Sequence, residues 1–427
     1  MVKLLIIADD FTGALDTGIQ FAKKGIETQV FTGTELDPGS VLENTQVLVI
    51  DSETRPMSAG QAYTAVKKIV TQAVEMGIEK IYKKTDSALR GNVGSELAAV
   101  LDGTGAGRIC FIPAFPDAGR TTKKGIHYIG GVKLENSSFG KDPFDPMTCS
   151  CVPEILKKQT DKPVRLVETD QKLADRISEQ EIVVFDAWEN QDILRRIREL
   201  KEKKELNILA GCAGFASFLP EALGLWGECR QDIRRTDMFY VACGSLNPVT
   251  ERQISYAQDR GFCRRTLFPE QKLCPDYYET AQGRAFLDEL AGLCRREKCV
   301  EVDTFEVEGQ ESTAEYAGRT GIPDSSIRFS VTACHGKILR CLIEQNLDMT
   351  ILLTGGDTLM GFMKELGVNQ IVPVAEIAQG TVLSKLFWEW RTLQVISKSG
   401  GFGEQELLVK LAEKLVKCIC SEPDKIS

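Results

Sequence analysis

Two carboxylates stand side by side at Asp9 and Asp10, directly after the apolar run LLIIA at 4–8. A second polar group, Asp51-Ser52-Glu53-Thr54-Arg55, closes another apolar run. The densest cluster follows, with Lys83, Lys84, Asp86, Ser87 and Arg90 crowded into one short stretch. Acids placed like this can orient a hydroxyl and take its proton, and neighbouring cations can receive a carboxylate or phosphate. The plainer readings are a helix cap for Asp10 and a solvated charged loop for 83–90. Capping, however, accounts for one of two adjacent acids. Different chemistry is suggested by three glycine turns: Gly244-Ser245, then Gly355-Gly356-Asp357-Thr358, then Lys398-Ser399-Gly400-Gly401. Consecutive glycines let backbone N–H groups converge on phosphate, and three such turns, one carrying a lysine, point to a nucleotide site. Neither a P-loop nor a dinucleotide fingerprint occurs, and the protein-kinase signatures are missing. His127 reads as a packed or hydrogen-bonded histidine rather than a general base, and it stands far from His335 in sequence. The close cysteine pairs at 149/151 and 418/420 lack the spacing of a zinc knuckle, so no structural metal site is expected.

Strands and helices must position these groups. Residues 4–8 read as a strand buried on both faces, followed by a helix that starts at Thr12-Gly13-Ala14 and closes at Gly25. Further strands are predicted at 28–32, 46–50, 80–83, 108–113, 182–186 and 208–211, with helices over 58–76 and from 189, giving a sheet of roughly five to seven strands. If that sheet is parallel, the polar strand ends open on the edge where α/β proteins bind ligands. The polar stretch 225–237 reads as a linker. Beyond it, strands at 238–243, 349–354 and 393–397 each run into a glycine turn, Asn247 and Pro248 open a helix, and a last helix starts at Glu404. The expected fold class is α/β: two α/β domains, 1–228 and 236–427, with mainly parallel sheets and a substrate and nucleotide cleft between them.

The 427 residues are 43% hydrophobic, enough for sizeable cores, and the formal net charge of -9 argues against a nucleic-acid partner. No run approaches the length of a membrane span and no charged leader opens the chain. The fourteen cysteines are scattered, as in a reduced protein. A soluble cytoplasmic protein is expected, with homo-oligomerisation left open.

Taken together, ADDFTGALD, DSETR, YKKTDSALRGN, IPAFPDAGRTT, CGSLNPVT, LLTGGDT and SKSGGFG resemble the motifs of the four-carbon acid sugar kinase family, and they spread from residue 8 to residue 403. The resemblance implies an acid-sugar domain followed by a nucleotide domain, and ATP-dependent, Mg2+-assisted phosphorylation of the terminal hydroxyl of threonate, erythronate or a 3-oxo-tetronate. It implies that Asp9, Asp10, Arg55, Lys84, Asp86, Ser87 and Arg90 bind the acid sugar. ATP would lie by Ser245, Gly355, Gly356, Asp357, Thr358, Gly400 and Gly401. Two positions depart from the family pattern: Ala88 where DSTLRG is commoner, which would remove a hydroxyl from the sugar site, and Asp357 where TGGET is commoner, which shortens a carboxylate but keeps its charge. Phosphoryl transfer is mostly positioning and charge neutralisation. Asp10, before Asp9 or Asp86, is the expected base; Arg55, Lys84 and Arg90 would hold the substrate's carboxylate and hydroxyls. Lys398 would hold phosphate, and Asp357 would reach Mg2+ directly or through water. A sugar-acid sensor without activity and a hydroxy-acid oxidoreductase are the alternatives.

Overall fold

The computed structural model describes residues 2–34, 38–141, 146–175, 179–228 and 233–417. The chain divides into two compact units, Met1–Arg230 and Gln231–Ser427. Residues 229–232, central to the expected linker, lie outside the described residues.

Eleven strands occur among the described residues of the first unit: β1 (Leu4–Ala8), β2 (Thr28–Thr32), β3 (Val47–Asp51), β4 (Ile81–Lys84), β5 (Arg108–Ile112), β6 (Arg120–Lys123), β7 (Ile126–Ile129), β8 (Val132–Lys133), β9 (Val164–Val167), β10 (Glu181–Phe185) and β11 (Ile208–Gly211). Its main sheet runs β2-β3-β1-β4-β11-β5-β10-β9, with every pairing parallel. Eight strands exceed the number expected. The addition is the edge strand β9, whose VRLV pattern is only partly buried and so lacks a continuous apolar run. The small antiparallel sheet β6-β7-β8 was not foreseen as a unit either.

Period-two alternation along these strands feeds two helical layers. Leu5, Ile7, Leu48, Ile50 and Ile81 join a core with Val66, Ile69, Leu97 and Leu101 from the helices Ala59–Glu75 and Val93–Thr104. On the other face Tyr82 packs edge-on to Phe215, beside the helices Phe11–Ala22 and Ala213–Ala216. From β1 the chain builds β2 and β3 on one side and then crosses to β4 on the other, so β1 and β4 flank the switch point where open α/β sheets bind ligands. The ends are level: Ala8 is the register partner of both Asp51 and Lys84.

The second unit repeats this logic with β12 (Met238–Cys243), β13 (Cys263–Thr266), β14 (Cys299–Asp303), β15 (Met349–Thr354), β16 (Gln370–Ala378), β17 (Thr381–Trp388) and β18 (Arg391–Lys398). Their order is β13-β14-β12-β15-β18-β17-β16, parallel from β13 to β18 and antiparallel across β17 and β16. Here the switch point lies between β12 and β15, and Thr354 is in register with both Cys243 and Lys398. The last described helix spans Leu407–Leu415 and so starts later than Glu404. The Gln253 amide holds the carbonyls of Phe402 (3.1 Å) and Glu404 (2.9 Å), which keeps that stretch a turn. No described helix is long and apolar enough to cross a membrane, and the described cysteines are free.

Candidate active site

Asp9 and Asp10 leave the carboxyl end of β1, Arg55 follows β3, and Asp86 to Arg90 follow β4. Strand order makes these three segments neighbours. Arg55 donates from Nε to Asp9 Oδ2 and from Nη1 to Asp10 Oδ2, both at 2.7 Å, and its Nη2 lies 3.5 Å from Asp86 Oδ1. Arg90 grips Asp86 with two bonds of 2.9 Å, from Nε and Nη2. Asp10 also caps the helix Phe11–Ala22 by accepting from Gly13 N at 2.9 Å, so the plain capping role is real and shares the residue with the ion pair. Lys84 Nζ donates to the Thr85 carbonyl at 2.7 Å, and a Cβ added to Gly13 would sit 2.7 Å from it. Ser87 lies next to these groups in the turn, with its carbonyl 3.0 Å from His127 Nε2.

Lys83 does not belong to this cluster. Successive strand residues face opposite ways, so Lys83 points into the other layer, where it is fully buried and pairs with Glu96 at 3.1 Å. Glu96 also accepts from the Thr54 hydroxyl, and the Asn92 amide holds the carbonyls of Thr54 and Met57 at 2.9 Å each. Glu96, Thr54 and Asn92, to none of which sequence reasoning gave a role, fix the Arg55 loop from behind. Period two at the end of β4 was the available signal that adjacent lysines must part.

The two adjacent acids are electrostatically unlike. Burial pushes Asp9 up, but Arg55, Lys84 and Lys83 outweigh it and hold its carboxyl below the usual range. Asp10 is raised, by burial and then by the charge of Asp9. Its side chain is 30% exposed against 2% for Asp9. Asp86 is buried, yet its bonds to Arg90 and the charge of Arg55 hold it well below the usual range. Environments that separate neighbouring carboxyls assign them different roles. The more basic, more accessible one here is Asp10.

In the second unit the three glycine turns meet at adjacent strand ends. A Cβ on Gly400 would lie 2.4 Å from Ser245 Oγ, and one on Gly244 would lie 2.3 Å from Thr358 Oγ1, so β12, β15 and β18 deliver turns that touch only because glycine stands there. Gly355 has φ of 90° and its N–H donates to the Lys398 carbonyl at 2.9 Å. Gly356 begins the helix Gly356–Glu365. Thr358 returns its hydroxyl to the Thr354 carbonyl at 2.9 Å, and Gly401 lies beside Asn247. Lys398 is buried beneath the turn. Its Nζ donates to the carbonyls of Ser399 (3.1 Å) and Gly400 (3.4 Å) and to Thr250 Oγ1 (3.3 Å), and burial lowers its pKa to about 8.

Residues 4–219 match the sugar-binding N-terminal domain family and residues 240–408 the nucleotide-binding C-terminal domain family. Over 435 aligned residues the chain is 29% identical to a D-threonate kinase of Salmonella typhimurium, covering 99% of this chain and 100% of that protein. The chain belongs to the four-carbon acid sugar kinase family. A 3-oxo-tetronate kinase of Burkholderia multivorans is 26% identical, with 96% of each chain covered. The fold is shared with a solved Salmonella typhimurium LT2 structure at TM-score 0.80 and 18% identity, covering 97% of this chain and 100% of that one.

The two departures from the family pattern now have positions. Ala88 is fully buried in the core cluster with Leu89, Val93 and Leu134, so it offers nothing to a ligand, and the expectation that it alters sugar contacts is corrected. Asp357 stands in the first turn of its helix, half-exposed, with both oxygens held by Arg328 at 2.6 Å. No group of three or more metal-ligating side chains occurs among the described residues. Asp357 is the single carboxylate in that turn, and a carboxylate oxygen is the kind of donor that a hard cation such as Mg2+ takes.

Proposed function

We propose that the chain is an ATP-dependent kinase that phosphorylates the terminal hydroxyl of a four-carbon acid sugar, threonate, erythronate or a 3-oxo-tetronate, to the 4-phosphate. The observation that carries this reading is the Asp9–Arg55–Asp10 and Asp86–Arg90 network at the β1/β4 switch point, where partly exposed cations stand beside one carboxyl whose pKa is raised by burial and by its acidic neighbour. Arg55, Arg90 and Lys84 receive the substrate's carboxylate and hydroxyls. Asp10 takes the proton of the attacking hydroxyl, a role that suits it better than Asp9 or Asp86, whose carboxyls are held strongly ionised and are weaker bases. The turns at Ser245, Gly355 to Thr358 and Gly400-Gly401 hold the phosphates of ATP through their backbone, with Lys398 shaping the last turn from behind. Bound Mg2+ supplies charge neutralisation on those phosphates. Asp357 would hold it through water once Arg328 is displaced.

The test is ADP release from ATP and Mg2+ with a panel of tetronates and with erythritol and threitol as neutral controls. Turnover confined to the acids is expected. Equal turnover of the neutral alcohols removes the carboxylate receptor. Reaction only with NAD means an oxidoreductase, and binding without turnover means a sensor.

A further inference from the structure

The small sheet β6-β7-β8 reaches the proposed acid-sugar pocket through one buried ring. His127, on β7, is fully buried, with Nε2 3.0 Å from the Ser87 carbonyl and Nδ1 3.0 Å from Thr122 Oγ1. A carbonyl only accepts, so Nε2 must carry the proton; Nδ1 then accepts from the Thr122 hydroxyl. The partners thus select one neutral tautomer, and burial lowers the imidazole pKa to about 4, which keeps it neutral. Its mounting is firm. Thr122 and Ala187 exchange backbone bonds of 2.9 and 3.1 Å, His127 N donates to the Ser150 carbonyl at 2.8 Å, and the Asp186 carboxylate accepts from Lys124 N (2.5 Å) and Gly125 N (3.0 Å) at the hairpin turn.

The segment that His127 holds is under strain. Leu89 has φ of 62°, a left-handed conformation that a leucine adopts only when its surroundings impose it. Within the turn, Asp86 Oδ2 accepts from Ala88 N at 3.1 Å and Arg90 N at 3.3 Å, and the Asp86 carbonyl accepts from Leu89 N at 3.0 Å. Those bonds all centre on Asp86. The Ser87 carbonyl is instead tied across to a different element, and Phe139, following the same small sheet, places its ring 5.2 Å from the Arg90 guanidinium. We infer that His127 is a positioning residue: its Nε2–H, selected by Thr122, holds the Ser87 carbonyl and so keeps the Leu89 turn and the Arg90 guanidinium set for the acid-sugar carboxylate. The role assigned to Arg90 rests on the function proposed above. The hold on the turn does not.

The experiment uses the full-length protein and three variants. In His127→Gln the side-chain amide nitrogen reaches where Nε2 stood; in His127→Asn it reaches only as far as Nδ1; Thr122→Val frees the tautomer. His127→Asn is expected to raise the tetronate KM by roughly tenfold, with the ATP KM within about twofold of wild type, as one lost hydrogen bond would do. His127→Gln recovers most of that loss, and Thr122→Val falls between. Amide hydrogen exchange over residues 86–91 should quicken in His127→Asn and Thr122→Val but not in His127→Gln. Equal behaviour of the Asn and Gln variants, joint movement of both KM values, or unchanged exchange over 86–91 overturns the inference. If wild type turns over no tetronate, the proposed function falls, while the exchange pattern still decides the positioning role. If His127→Asn does not fold, Thr122→Val carries the same test.

Discussion

At Asp10 one carboxylate caps a helix, pairs with Arg55 and keeps a partly exposed face. Burial and the charge of Asp9 raise it, so it is the acid in this site best suited to accept a proton. Asp10→Asn keeps the size and the cap acceptor but cannot take a proton. We expect kcat to fall by roughly 10²–10⁴-fold with the ATP KM unchanged, measured by steady-state ADP release. The sign of the pH effect follows from the raised pKa: activity rises as pH climbs through it, so the acid limb of the wild-type profile lies above the usual carboxylate range and disappears in the variant. Full kcat in Asp10→Asn would move the base elsewhere. The adjacency of Asp9 and Asp10 was plain in the sequence. Their division of labour was not, because it depends on an arginine at position 55 and lysines from β4.

Elements act here by bringing turns together. β12, β15 and β18 end level, so glycines far apart in the chain share one small space. Gly400→Ala would drive a methyl to 2.4 Å from Ser245 Oγ, whereas Gly401→Ala meets Asn247 Nδ2 at an ordinary 3.6 Å. The first should raise the ATP KM roughly tenfold or more and the second should change it little, with the tetronate KM as an internal control. Like effects from both would contradict the shared turn. Beneath it, Lys398 provides a stability signature. Its folded pKa of about 8 lies below the ordinary lysine value of 10.5, so between these the unfolded chain binds more protons than the folded one and stability rises with pH. The contribution is fully present above 10.5 and is lost as pH falls through 8. Relative to Lys398→Met, wild type should gain on the order of a few kcal/mol between pH 7.5 and 10.5, read from thermal melts of the two proteins side by side. No change in the gap between them would mean that Lys398 is solvated.

For the whole molecule, each compact unit has a hydrophobic core cluster of its own among the described residues, one that includes β1, β3, β4, β5 and β10 and the other β12, β15 and β18. The residues proposed to bind the acid sugar all fall in the first unit and the glycine turns in the second. A ligand that binds only the folded form stabilises by mass action, about 2.7 kcal/mol at a hundred times its Kd. Calorimetry of the full chain should therefore show a tetronate raising one transition and ATP raising the other. Both ligands acting on the same transition would contradict the assignment of one site to each unit.

Sequence alone determined the α/β class, the strands that end on acids or glycines, and the motif set that marks the family. These are legible because a buried parallel strand is a continuous apolar run and its polar terminus is a local change of chemistry. Tertiary structure decided which ends are neighbours, and hence that Arg55 ties Asp9 to Asp10, that Lys83, turned away from Lys84 by the strand's alternation, meets Glu96 as its partner, and that Arg328 engages Asp357. It also revealed the half-exposed edge strand β9, which has no apolar run to read, and the buried ring of His127 linking β7 to the Ser87 turn. Those contacts join residues that are not neighbours in the chain, and no local period names the partners. Strand order does, and strand order is set by how the two faces of each sheet are covered.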